Sequence, residues 1–213
     1  MSFTGHRKIT LWPVFYFEYM RIIAGSARGR KLVSPGAKSG KNDIRPTSDR
    51  AREALFNILG KDVCGARVLD LFAGTGALGL EALSRGADSA LFIDKSQSAI
   101  GMIDKNIQLT GFSDKVTVLK RNLSKKTFLD SKYTPGEGFS LVFLDPPYRT
   151  NLAGELLSLL GQGLFVAKQG VVVAESSVSI RLPEKTGRLK CYDKRQYGDT
   201  AFWLYQLENK ENI

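Results

Sequence analysis

RVLDLFAGTGALGLEAL, residues 67–83, decides the fold. An apolar run gives way to Gly74, Gly76 and Gly79 in the spacing G-x-G-x-x-G, and ALGLEAL then continues as a helix would. A strand, a glycine turn and a helix in that order open a doubly wound parallel sheet. That first turn is where such sheets hold an adenosine-bearing cofactor, because glycine lets backbone N–H groups approach the ligand. NAD and S-adenosylmethionine share the adenosine ribose, so the glycines alone do not discriminate. Asp70 does. A dinucleotide lays a pyrophosphate over the loop, which a nearby carboxylate opposes. S-adenosylmethionine has no phosphate and carries an ammonium and a sulfonium, which an acid at the mouth of the loop favours directly or through water. Asp94, closing the next apolar run ALFID, is placed to accept hydrogen bonds from both ribose hydroxyls.

Outward from this unit, strand and helix alternate. Strands are expected at 66–71, 89–94, 116–120, 140–145 and 170–175, with helices near 77–85, 96–110, 124–130 and 151–161. Runs such as LVFLD and GVVVAE suit strands covered on both faces. The ending, GRLKCYDKRQYGDTAFWLYQL, holds two β-rich runs about a Tyr-Gly-Asp turn with no helix between them, so the last strand is expected to be antiparallel. Ahead of the sheet, MRIIAGSARGRKLVS, residues 20–34, reads as a small curved hairpin exposing Arg21, Arg28, Arg30 and Lys31. In RPTSDRAREALFNILG, Thr47 or Ser48 can cap a helix whose apolar stripe is Ala51, Leu55, Ile58 and Leu59, with Gly60 as its stop. Residues 1–19 have a basic start and a short apolar run broken by Pro13, and are expected to be a dispensable or non-native extension rather than a signal peptide. The organisation expected is thus an extension over 1–19, a basic β element and linker over 20–46, and the catalytic domain over 47–213.

Composition narrows the chemistry. The chain has 213 residues, 31 Lys and Arg against 21 Asp and Glu, and a net charge of +10 spread along its length, which suits a polyanionic partner. His6 is the sole histidine, and Cys64 and Cys191 are its two cysteines, so imidazole-based triads, zinc sites and disulfide frameworks lack their residues. Two isolated thiols fit a reducing cytoplasm, and no run is long enough to span a bilayer.

The chemistry-bearing motif is LVFLDPPYRT, with Asp145, Pro146, Pro147 and Tyr148 at the carboxyl end of the fourth expected strand, facing the same crevice as the glycine loop. Two prolines fix the backbone and remove two amide donors, leaving the Asp145 carboxylate and the Pro146 carbonyl as acceptors. An exocyclic amine of a nucleobase has two N–H groups to give such a pair, which turns its lone pair toward an electrophilic methyl. Tyr148 offers a flat surface for an unstacked base.

These motifs together resemble the RsmD family of 16S ribosomal RNA guanine-N2 methyltransferases. The resemblance rests on RIIAG at Arg21 to Gly25, RPTSDRARE at Arg45 to Glu53, FAGTGALGLEALSRGA at Phe72 to Ala87, DPPY at Asp145 to Tyr148, and the tyrosine-bearing stretch Thr200 to Gln206. It implies a class I S-adenosylmethionine-dependent, Rossmann-like fold, with a mostly parallel seven-stranded sheet, an antiparallel last strand and a small N-terminal β element. It implies a cofactor site of Asp70, Phe72, Ala73, Gly74, Thr75, Gly76 and Asp94. Asn122 would receive the adenine amino group, and Arg45 and Thr47 would close over the cofactor. Arg28, Arg30, Lys31, Arg50, Arg52 and Arg149 would meet RNA, although a solvated helix face explains Arg50 and Arg52 equally well.

The function expected is transfer of a methyl group from S-adenosylmethionine to N2 of a guanine in small-subunit ribosomal RNA, leaving S-adenosylhomocysteine and using no metal. The expected setting is an assembling 30S particle in the cytoplasm, with the protein a monomer. An adenine-N6 or cytosine-N4 methyltransferase on other RNA or DNA uses the same tetrad. A non-catalytic RNA-binding or assembly protein is the rival from another class, and an NAD-dependent reductase is third.

Overall fold

The alternation of β-branched and leucine-rich runs with amphipathic segments closes into one eight-stranded sheet of order β3-β2-β1-β4-β5-β8-β7-β6. The structure is a computed structural model, and it describes residues 20–35, 49–123, 133–134, 136–147 and 151–208. The strands are β1 (Arg67–Leu71), β2 (Ser89–Asp94), β3 (Val116–Lys120), β4 (Phe139–Leu144), β5 (Val166–Ser177), β6 (Lys185–Thr186), β7 (Leu189–Tyr197) and β8 (Thr200–Leu207). The helices are α1 (Asp49–Leu59), α2 (Ala77–Ser84), α3 (Gln97–Thr110) and α4 (Leu152–Leu160). β1 to β5 are parallel, and β8 slots in antiparallel between β5 and β7.

The sheet has eight strands where seven were expected, because Lys185 and Thr186 add a two-residue edge strand beside β7. The fifth strand is also longer than read. It starts at Val166 and shifts register between Phe139 and Leu141 of its neighbour. Gly170 makes the shift possible, since a Cβ there would lie 2.8 Å from the Phe139 carbonyl oxygen. The helix expected over 124–130 and the caps Thr47 and Ser48 lie outside the described residues.

Both faces of the sheet are covered. Val68, Phe92, Leu141 and Phe143 point into a core shared with α1, α2 and α3. Leu69, Leu71, Ile93, Val142 and Leu144 point into a second core closed by α4. This two-sided burial is the reason the parallel strands read as near-continuous apolar runs. Met20, Ile22, Ala27 and Leu32 of the basic hairpin belong to the first core.

The hairpin is closed around the Arg21–Lys31 bridge, with the Ile22 N–H donating to the Arg30 carbonyl at 3.0 Å, the Leu32 N–H to the Met20 carbonyl at 2.8 Å and the Gly29 N–H to the Ile22 carbonyl at 2.8 Å. Its turn also bonds to α2. The Ile23 and Ala24 N–H groups donate to the Glu81 carboxylate at 2.7 and 3.0 Å, and Ala27 N–H donates to Ser84 Oγ at 2.9 Å. Satisfying those buried amides from the helix docks the hairpin against the element that follows the glycine loop.

Candidate cofactor and methyl-transfer site

Strand order reverses at β1, which lies between β2 and β4, so the loops after β1 and β4 open beside each other at the carboxyl edge. The register makes this concrete. Leu71 pairs with Leu144, and the Asp145 N–H approaches the Leu71 carbonyl at 3.5 Å. The aspartate of the proline tetrad therefore stands immediately beside Phe72, where the glycine loop begins.

The loop is tightly built. Phe72 adopts φ +60, the one described non-glycine residue with positive φ. Such strain persists only where surrounding structure imposes it. Gly76 caps α2 with φ +77, and its N–H donates to the Ala73 carbonyl at 2.7 Å. Asp94 braces the loop from β2, one oxygen accepting the Gly74 N–H at 3.0 Å and the other the Ser96 N–H at 2.8 Å. Each carboxylate oxygen keeps a second lone pair for a ribose hydroxyl. Gly79 is required by packing, since a Cβ there would sit 2.3 Å from the Phe92 ring.

Asp70 is not at the mouth of the loop, as its place in the sequence suggested. It is 2% exposed beneath α2, and one of its oxygens accepts the Gly79 N–H at 2.9 Å. Burial raises its carboxyl to about 8, with Asp94 adding to the rise and the Gly79 N–H opposing it. Asp145 is half-buried and also held well above the usual carboxylate range, first by burial, then by Glu175 and then by Asp70. Glu175, 3% exposed on β5, sits one residue past the Leu144–Ala174 pair, level with Asp145. The sequence reading passed it over, although a lone acid closing GVVVAE was a signal.

Other expected site residues fall variously. Asn122 is exposed, two residues beyond the Asp94–Lys120 pair at the same sheet edge. Ala73 is buried. Thr75 is buried too, and its hydroxyl donates to Met20 Sδ at 3.4 Å, so its side chain is taken up by the hairpin rather than offered to a ligand. Pro146 is buried and Pro147 exposed. Arg28, Arg30, Lys31 and Arg50 are exposed. Arg45, Thr47, Tyr148 and Arg149 lie outside the described residues.

Arg52 is a correction. The structure removes it from the RNA-facing set, because its side chain is fully buried and directed inward. Its guanidinium donates to the Arg21 carbonyl and to Asp49 at 2.9 Å, and its Nε lies 3.9 Å from Glu81. Arg52 joins Leu55, Phe56 and Leu59 on the buried face of α1, at helical spacing. That spacing was the available clue.

The donors and acceptors suit a cationic adenosine cofactor. Residues 70–84 contain no lysine or arginine, and the Asp94 carboxylate holds the Gly74 N–H. A pyrophosphate over the loop would meet that carboxylate and no cation in this segment.

A family model described as conserved hypothetical protein 95 matches residues 20–206. The chain is 38% identical over 189 residues to ribosomal RNA small subunit methyltransferase D of Escherichia coli strain K12, covering 89% of this chain and 90% of that one. A solved structure of a hypothetical protein from Thermus thermophilus has a TM-score of 0.72 at 30% identity, covering 88% of this chain and 99% of that one. A more distant structure, complexed with S-adenosylhomocysteine, has a TM-score of 0.59 at 14% identity, covering 75% of this chain and 49% of that one, and so shows the fold alone. Matched from residue 20 to residue 206, and sharing more than a third of aligned residues with the Escherichia coli protein over most of both chains, this chain belongs to the conserved hypothetical protein 95 family and is a methyltransferase of the RsmD type.

Proposed function

We propose that the protein transfers a methyl group from S-adenosylmethionine to the exocyclic N2 amine of one guanine in small-subunit ribosomal RNA. The observation that carries this is the strand register that sets Asp145 against the start of the glycine loop. The name of the Escherichia coli relative supports small-subunit RNA as the substrate. Residues 20–46 form the basic element that meets RNA, and 47–213 the methyltransferase domain.

Bound S-adenosylmethionine supplies an electrophilic methyl group. Asp94 and the loop amides bind the adenosine end. The Asp145 carboxylate and the Pro146 carbonyl accept the two amine N–H groups, which points the nitrogen lone pair away from the ring plane. Asp145 also holds the proton that the nitrogen gives up. Tyr148 stacks the extruded base. Alignment of this kind is the main demand of a direct displacement, and it calls on no imidazole. The protein works as a monomer in the cytoplasm, on RNA in an assembling 30S particle, and needs no metal.

The test is incubation with labelled S-adenosylmethionine and 16S RNA or 30S particles from cells lacking the gene, followed by mapping of the modified nucleotide. Label on guanine N2 at one position is the expected result. Label on adenine or cytosine, or none on either substrate, overturns the reading. Calorimetry should detect binding of S-adenosylhomocysteine and no binding of NAD.

A further inference from the structure

Asn106 of α3, a residue the motifs do not include, fastens the basic hairpin to the cofactor loop. Its side chain is fully buried. Oδ1 accepts the Val33 N–H at 2.6 Å, and Nδ2 donates to the Val33 carbonyl at 3.0 Å and to the Thr75 carbonyl at 2.9 Å. The amide thus takes both backbone polar groups of the residue where the chain leaves the hairpin, and gives a further hydrogen bond to the glycine loop. Thr75 completes the junction from the other end of the hairpin, through its hydroxyl to Met20 Sδ.

Thr75 is flanked by Gly74, whose N–H is held by Asp94, and by Gly76, which caps α2. Its carbonyl is therefore the rear anchor of the segment whose front would face the cofactor. The remaining buried residues of α3, Ala99, Ile103 and Ile107, are apolar, and a leucine at 106 would fill similar space without making any of these bonds. A buried amide whose donors and acceptor all go to backbone fixes two segments relative to each other.

We propose that Asn106 is a positioning residue for methyl transfer, holding the glycine loop and the exit of the basic hairpin in one fixed relation so that RNA engaged by Arg28, Arg30 and Lys31 is aligned with the bound cofactor. The RNA half of this rests on the function proposed above. The link between hairpin and cofactor loop does not.

Two experiments test it. In the wild-type protein, amide hydrogen exchange is followed with and without S-adenosylhomocysteine. The Val33 N–H should slow by about fivefold or more, a coupling of ordinary size, while the Gly29 N–H at the far turn should not change. In Asn106→Asp, the Val33 acceptor is kept, one donor is lost outright, and the other survives only while the carboxyl is protonated, since ionisation would set a carboxylate against two carbonyls. At about pH 8 its affinity for S-adenosylhomocysteine should fall by roughly tenfold and its KM for RNA should rise, with kcat at saturation within about threefold of wild type. Near pH 5.5 the affinity gap should narrow, because the protonated carboxyl regains one donor for the Thr75 carbonyl.

A purely structural role would lower the melting temperature and leave both affinities and the pH dependence unmoved. That result, or an unchanged Val33 exchange rate, overturns the proposal, and the exchange measurement decides alone should Asn106→Asp fail to fold. Absence of RNA methylation by the wild type would instead withdraw the function above, since the exchange and calorimetric readings need no RNA.

Discussion

The carboxylate of Asp94 accepts the backbone N–H of Gly74 at 3.0 Å, so the acid that ends β2 is part of the glycine loop before any ribose reaches it. The same carboxylate holds the Ser96 N–H at 2.8 Å, where α3 begins. Ribose recognition and loop geometry therefore depend on one side chain.

Asp94→Ala is expected to weaken S-adenosylhomocysteine binding by about 2–4 kcal/mol, more than one hydrogen bond to a charged group, because Gly74 is released along with the ribose hydroxyls. Asp94→Asn keeps one acceptor and should lose less. Calorimetry on both variants checks the order, and equal losses would mean that the loop brace contributes nothing.

Asp70 sets a pH dependence of stability. Its carboxyl rises from 3.8 to about 8 on folding, so the native state retains a proton that the unfolded chain releases. Its contribution is fully present below the unfolded value, and it is lost as pH rises through the folded one. Asp70→Asn keeps an acceptor for the Gly79 N–H and has nothing to ionise. Its melting temperature should match wild type near pH 4 and exceed it increasingly toward pH 8, by roughly 2–4 °C for each kcal/mol recovered. Melting curves across that range decide, and a constant offset would contradict the assignment.

Arg52 and the hairpin cations should separate cleanly. Arg52→Met removes the hydrogen bonds to the Arg21 carbonyl and to Asp49, while Glu81 keeps Arg85 at 2.7 Å, and it is expected to cost about 1–3 kcal/mol of stability, the usual scale for a hydrogen bond lost from a charged group. RNA affinity of the folded fraction should not change. Neutralising Arg28, Arg30 and Lys31 together should do the reverse, reducing the slope of log affinity against log salt by about 2 with little effect on melting. Filter binding over a salt series, alongside calorimetric unfolding, reads both effects.

The contrast between these arginines shows where the sequence was legible. RVLDL, ALFID and LVFLD declare their strands because two covered faces demand continuous apolar residues, and the register of β1 and β4 then brings the glycine loop to Asp145 without further information. Polar residues that face inward are harder to read. Glu81 and Asn106 look like solvated positions in one dimension, and Arg52 and Glu175 show only a hint of burial in their spacing and neighbours, so the third dimension is needed to supply the groups that these side chains meet. Lys185–Thr186 was missed for another reason. A two-residue edge strand has no periodicity, and its pairing with β7 comes from the turn that joins them.

Asp145 carries the sharpest test. As the amine acceptor it must be ionised, yet burial, Glu175 and Asp70 hold its carboxyl well above the usual range. Single-turnover methylation at saturating cofactor should therefore keep climbing with pH above the ordinary carboxylate range as Asp145 ionises, rather than being flat there. Glu175→Gln removes a like charge and should move that rise to lower pH. Asp145→Ala should lower the rate by roughly a hundredfold or more, in the range for a positioned proton acceptor, while S-adenosylhomocysteine affinity stays within a few fold. Tyr148→Ala should be milder, at about 1–3 kcal/mol for a lost stacking surface, with Tyr148→Phe close to wild type. Asp94→Ala, by contrast, should recover part of its rate when cofactor is raised, which Asp145→Ala cannot do. A near-normal single-turnover rate in Asp145→Ala, or a pH limb that Glu175→Gln leaves in place, would separate the tetrad from the amine and leave the acids at this edge of the sheet as supports for the loop alone.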